Sequence, residues 1–85
     1  MKVRVRFFAS LKEQLGMDAE EIDVPAGVAT VAALRAHLVK RGGDWQVAFA
    51  EKKLVRAAVN QEMAAPGAPV RAGDEVAFFP PVTGG

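Results

Sequence analysis

Lys2-Val3-Arg4-Val5-Arg6-Phe7-Phe8 alternates apolar and polar positions, the pattern of a strand with one buried face. Val3, Val5 and Phe7 point inward; Lys2, Arg4, Arg6 and Phe8 point outward. Ser10-Leu11-Lys12-Glu13 fits a capping box, with Ser10 as N-cap and Glu13 reaching back, and predicts a short helix stopping at Gly16. Ala19–Val24 alternates again with Ile22 and Val24 inward, and Pro25-Ala26-Gly27 ends it. Thr30 then caps the main helix, whose apolar stripe is Val31, Leu34 and Leu38. Lys40 and Arg41 suit its last turn, and Gly42-Gly43 terminates it. Asp44 caps a second short turn holding Trp45, Val47, Ala48 and Phe49. Glu51-Lys52-Lys53 forms an exposed break.

A third strand is predicted over Leu54–Asn60 with Val55, Ala57 and Val59 on one face, and a brief fourth over Glu62-Met63-Ala64. Turns follow at Pro66-Gly67 and at Arg71–Asp74. Glu75-Val76-Ala77-Phe78-Phe79 is the last strand, with Val76 and Phe78 inward. This order predicts an α+β fold: a mixed sheet of four to five strands with one main helix on one face. The expected core is Val3, Val5, Phe7, Leu15, Ile22, Val24, Val31, Leu34, Leu38, Trp45, Val59, Val76 and Phe78.

Composition narrows the chemistry. The 85 residues suit one domain, and 51% hydrophobic content packs it without staples. There is no cysteine and one histidine, so disulfides are impossible and a zinc site is disfavoured. A net charge of +1 gives no electrostatic case for nucleic acid. No apolar run approaches the ~18 residues of a membrane span. The charged N-terminus does not read as a signal peptide, so a cytoplasmic address is expected.

The outer face of the sheet carries more information than the core. Arg4, Arg6, Phe8, Ala58, Ala77 and Phe79 share it, an apolar patch with an arginine rim that reads as a partner interface. The plainer alternative is that Phe8 or Phe79 folds under a loop. The remaining candidates are weak. His37 has no nucleophile or carboxylate cluster tied to it. Glu20-Glu21 reads as a solvated charged face, and Gly42-Gly43 lacks the spacing and lysine of a phosphate-binding loop.

The chain ends Phe78-Phe79-Pro80-Pro81-Val82-Thr83-Gly84-Gly85. A bare Gly-Gly end is often an idle tail. Here Pro80 and Pro81 stiffen the exit from the fold. Val82 and Thr83 favour extended backbone, and Gly84 and Gly85 make a narrow tip able to thread a tight channel. The division expected is a domain over residues 1–79 and an extended tail over 80–85.

Val5-Arg6-Phe7-Phe8-Ala9, Ala57-Ala58-Val59-Asn60-Gln61 and the whole run from Gly73 to Gly85 resemble the small-subunit family of molybdopterin synthase, ubiquitin-like β-grasp sulfur carriers. The resemblance spans essentially the whole chain. It implies a subunit non-catalytic alone, binding no cofactor. On this resemblance, Gly85 is expected to be adenylated by an E1-like enzyme that consumes ATP, and then to take sulfur from a persulfide donor and become a thiocarboxylate. Pro80, Pro81, Val82, Thr83, Gly84 and Gly85 then enter the large catalytic subunit, in an assembly of two small and two large subunits. There the sulfur goes to cyclic pyranopterin monophosphate during molybdenum cofactor biosynthesis. Two alternatives stay open: a ubiquitin-like modifier joined to lysines through Gly85, and a carrier for another pathway such as thiamine synthesis or tRNA thiolation.

Overall fold

The computed structural model describes residues 1–81. Val82, Thr83, Gly84 and Gly85, the tip of the expected tail, lie outside the described residues. The elements are β1 (Lys2–Phe7), α1 (Ala9–Leu15), β2 (Ala19–Asp23), α2 (Val31–Val39), α3 (Gly43–Ala48), β3 (Arg56–Val59), β4 (Glu62–Ala64) and β5 (Glu75–Phe79). The five strands form one sheet in the order β2-β1-β5-β3-β4. β1 pairs antiparallel with β2 and parallel with β5, and β3 pairs antiparallel with both β5 and β4. The sheet is therefore mixed, as expected, and its middle strand is the last in sequence.

Alternation places Val3, Val5 and Phe7 against the helices, each at most 1% exposed. Val76 and Phe78 stand beside them on β5, in register with Val5 and Phe7. α2 supplies Val31, Leu34 and Leu38, as its stripe requires. Three of its first N–H groups are satisfied in two ways. Val31 and Ala32 donate to the carbonyls of Ala68 and Pro66, and Ala33 donates to Thr30 Oγ1 at 3.1 Å. The loop before β5 thus caps the helix with its own backbone.

Ser10 is not the cap of α1. That helix starts two residues earlier, with Phe8 as N-cap and no side-chain cap bond. The Phe8 carbonyl accepts from Leu11 and Lys12, so backbone does what the hydroxyl was expected to do. Shifting the start lets Leu11 drop into the core at 4% exposure. Asp44 likewise lies inside the first turn of α3, and Gly42 holds the cap position. The core also contains Ala48, Phe49, Ala57 and Val70, whereas Leu15, Trp45 and Val59 pack against its margin. Phe49, fully buried, meets Phe78 edge-on at 5.1 Å and stacks with Trp45 at 6.3 Å.

Candidate partner interface and tail root

β5 leads into the tail, and it is held on both sides by β1 and β3. Phe78 anchors it below, 1% exposed in the core, while its carbonyl accepts from the Phe8 N–H at 3.2 Å. The start of β5 is clasped by Asn60. Its side chain donates to Asp74 Oδ1 at 3.0 Å and accepts from the Glu75 N–H at 3.0 Å. Asp74 Oδ2 in turn accepts from the Arg71 N–H at 2.8 Å. That backbone bond, then the one from Asn60, holds the Asp74 carboxyl below the usual carboxylate range. Asn60 and Gln61 both sit at positive φ (49° and 70°), which makes the tight β3–β4 reversal. The segment Ala57-Ala58-Val59-Asn60-Gln61 therefore has a structural reason: it ends a strand, makes the turn and clamps the strand that bears the tail.

Register assembles the outer face. One row runs Ala19, Arg6, Ala77, Ala58, Met63 from β2 to β4. Flanking it, Arg56 pairs with Phe79 and Arg4 with Glu75. Arg4 is exposed; Arg6, Ala77 and Phe79 are half-buried. Phe8 lies just past β1, but its extended backbone (φ −125°, ψ 156°) continues the alternation, and its ring is 38% exposed. Arg6 is held in place twice, over the Phe8 ring at 4.9 Å and against Glu75 at 3.5 Å.

Ala58 departs from the expectation of an exposed patch residue: it is only 9% exposed. It belongs to no core cluster, so it faces outward and forms the floor of the patch, a single methyl set between Ala77 and Met63. Sequence reasoning missed Met63 and Arg56. Met63 is 62% exposed and stands with Phe79 at the cleft beside Pro81, supplying apolar bulk that the alanine cannot. The signal was there: a two-residue turn at Asn60-Gln61 puts Met63 opposite Ala58. Arg56, Met63, Phe79 and Pro81 enclose a cleft of ≈ 390 Å³ at the tail root. Phe8, Met63 and Phe79 leave apolar surface exposed or half-exposed, and Arg4 and Arg56 form no ion pair among the described residues.

Among the described residues no group of His, Asp and Glu is placed to hold a metal. No described helix is long and apolar enough to cross a membrane.

The ThiS family model matches residues 5–85. The chain belongs to the ThiS family. It is 48% identical over 83 residues to the molybdopterin synthase sulfur carrier subunit of Escherichia coli (strain K12), covering 98% of this chain and 99% of that one. Among solved structures it is similar to the H. volcanii small archaeal modifier protein 1 (31% identity, TM-score 0.74, 95% and 98% of the two chains covered). It is also similar to a chain in the complex of subunits 1 and 2 of the molybdopterin-converting factor from Helicobacter pylori 26695 (26% identity, TM-score 0.66, both chains fully covered). The β-grasp fold expected from the sequence is thus shown by the sheet order and by these neighbours.

Proposed function

We propose that this chain is the sulfur carrier subunit of molybdopterin synthase and works through Gly85. The observation that carries the reading is the 48% identity to the E. coli carrier over nearly the whole of both chains. The geometry supports it: the tail leaves from the middle strand of the sheet, with an apolar, arginine-rimmed face at its root. The partner on that face is the large catalytic subunit, in keeping with the two-subunit complex among the structural neighbours. The carrier acts in the cytoplasm and is not an enzyme by itself.

A carboxylate is a poor electrophile. An E1-like partner uses ATP to turn the Gly85 carboxylate into an acyl adenylate, releasing pyrophosphate. A persulfide sulfur on another protein then displaces AMP. Reductive cleavage of the resulting S–S bond by a thiol leaves a thiocarboxylate on Gly85. This chain has no cysteine, so both the persulfide and the thiol come from partners. In the large subunit the thiocarboxylate sulfur attacks cyclic pyranopterin monophosphate, and hydrolysis of the thioester restores the Gly85 carboxylate. Pro80 and Pro81 limit the entropy lost when the tail enters its channel; Val82, Thr83 and Gly84 keep the inserted segment extended and narrow.

The resemblance to an archaeal modifier protein favours a second reading, conjugation to lysines through the same adenylate. Complementation of a strain lacking its own carrier separates the two. The full chain restores molybdenum-enzyme activity, and removing Gly85 or adding one residue after it abolishes the rescue. Rescue by the chain lacking Gly85 would overturn every covalent role for the tail.

A further inference from the structure

The three helices do not cover the whole inner face of the sheet. Beside β3 and β4 they leave an open groove of ≈ 940 Å³ on the side opposite the patch described above. Along one wall α2 offers Ala32, Ala36 and Val39; Met63 and Pro66 stand on the other, and Phe78 forms part of the floor. Both alanines are exposed, so the helix surface is low and leaves room for a bulky side chain. The end wall is built. Arg35 donates to the carbonyls of Phe49 (3.0 Å), Ala50 (2.6 Å) and Lys53 (2.7 Å), fixing the loop that carries Glu51.

The lining is apolar and its rim is cationic. Arg35, Lys40 and Arg56 face it against Glu51 alone. Lys40 and Arg56 are exposed and form no ion pair among the described residues. Arg56 and Met63 also line the tail-root cleft, so this surface runs from the helix layer around the β4 edge to the outer face. A small amphiphile would fill one part of so extended a surface; a protein segment can follow it. We infer that the groove is a second docking surface, whose occupant is a segment of a partner protein with bulky aliphatic residues flanked by carboxylates. Such a segment places its aliphatic side chains between α2 and β4 and its carboxylates on Lys40 and Arg56. A partner seated there holds the tail root from the side and, because it takes Arg56 and Met63, shares the edge of the outer face with any partner docked on Arg4, Phe8 and Phe79. Only the tail-handling role of that partner rests on the carrier reading.

The test titrates the isotope-labelled full chain with two synthetic peptides, one with aliphatic residues between Asp and Glu, the other with the same residues between lysines. Dodecanoate serves as the small-amphiphile control. The acidic peptide shifts the backbone amides of Ala36, Lys40 and Val55 and leaves those of Arg4 and Arg6 in place, and the basic peptide does neither. Lys40→Glu with Arg56→Glu weakens binding by about tenfold or more, and Ala36→Trp blocks it, with thermal melts confirming that both variants fold. Absence of groove shifts, equal binding of both peptides, shifts confined to the outer face, or tighter saturation by dodecanoate would each overturn the inference. No step of this test needs Gly85, so its failure leaves the sulfur-carrier reading untouched.

Discussion

Phe78 and Phe79 are neighbours in sequence with opposite fates, and replacing each by alanine separates folding from docking. Phe78 is 1% exposed and meets Phe49 edge-on at 5.1 Å. Truncating a buried phenylalanine costs about 3–5 kcal/mol through lost transfer energy and the cavity left behind. A domain of this length has about 4–13 kcal/mol in total, taking ~0.05–0.15 kcal/mol per residue. Phe78→Ala therefore removes a large share of the stability and leaves a measurable unfolded population if the parent is at the low end. Phe79 is half-buried on the outer face. Losing its ring costs the fold about 1 kcal/mol, roughly half of a full apolar burial. At the centre of an interface the same ring is worth about 2 kcal/mol or more, a loss of some thirtyfold in affinity. Urea titrations give the stability through the midpoint at constant slope, and calorimetry against the large subunit gives the affinity. Phe79→Asp exaggerates the contrast by adding an unfavourable charge to the patch. A Phe79→Ala variant that destabilises as much as Phe78→Ala, or that folds normally and binds the large subunit unchanged, would rule out this division of labour between the two rings.

Other consequences follow from the same geometry. Gln61 sits at φ 70°, where a side chain is strained, so Gln61→Gly should stabilise by up to ~1 kcal/mol in thermal or urea unfolding, keeping the β3–β4 turn. Asp74 and Glu20 have carboxyls held below their ordinary range, by the Arg71 N–H and Asn60 in one case and by Arg41 in the other. Each binds its proton more readily unfolded, so the stability they add is complete above the ordinary carboxylate pKa of about 4 and drains away as pH falls through the lower folded values. Asp74→Asn should flatten that acid limb in urea midpoints measured against pH. Arg41 joins Glu20 by two bonds, at 2.9 and 2.7 Å, and lies over the Trp45 ring at 4.5 Å. Arg41→Ala should cost about 1 kcal/mol, less in high salt, because the pair is partly exposed. Met63→Asp should leave the melting temperature nearly unchanged and weaken large-subunit binding about tenfold, read by calorimetry.

Most of the fold was legible because local patterns and tertiary demands agree. The alternation of β1, the Thr30 cap and the Val31-Leu34-Leu38 stripe each report a buried face directly. What could not be read depends on distant backbone. Ser10 looked like a cap, but the extended Phe8, tied to the Phe78 carbonyl, starts the helix first. Val70 is buried in a loop because its N–H pairs with Ala29 across the mouth of α2, and no periodicity marks that. The patch was legible in Arg4, Arg6, Phe8, Ala77 and Phe79, whose strand alternation is unambiguous. Ala58 was placed on the correct face but is too short to emerge from it. Met63 and Arg56 needed the β3–β4 and β3–β5 registers, which turn geometry sets rather than composition.

The proposed role of this chain rests on one carboxylate, that of Gly85. Purified full-length chain, incubated with an E1-like adenylating enzyme, ATP and a persulfide-bearing sulfurtransferase, should show by intact mass the exchange of one oxygen for sulfur, lost again when the large subunit and cyclic pyranopterin monophosphate are added. An unchanged mass, or a series of lysine conjugates in its place, would contradict the account.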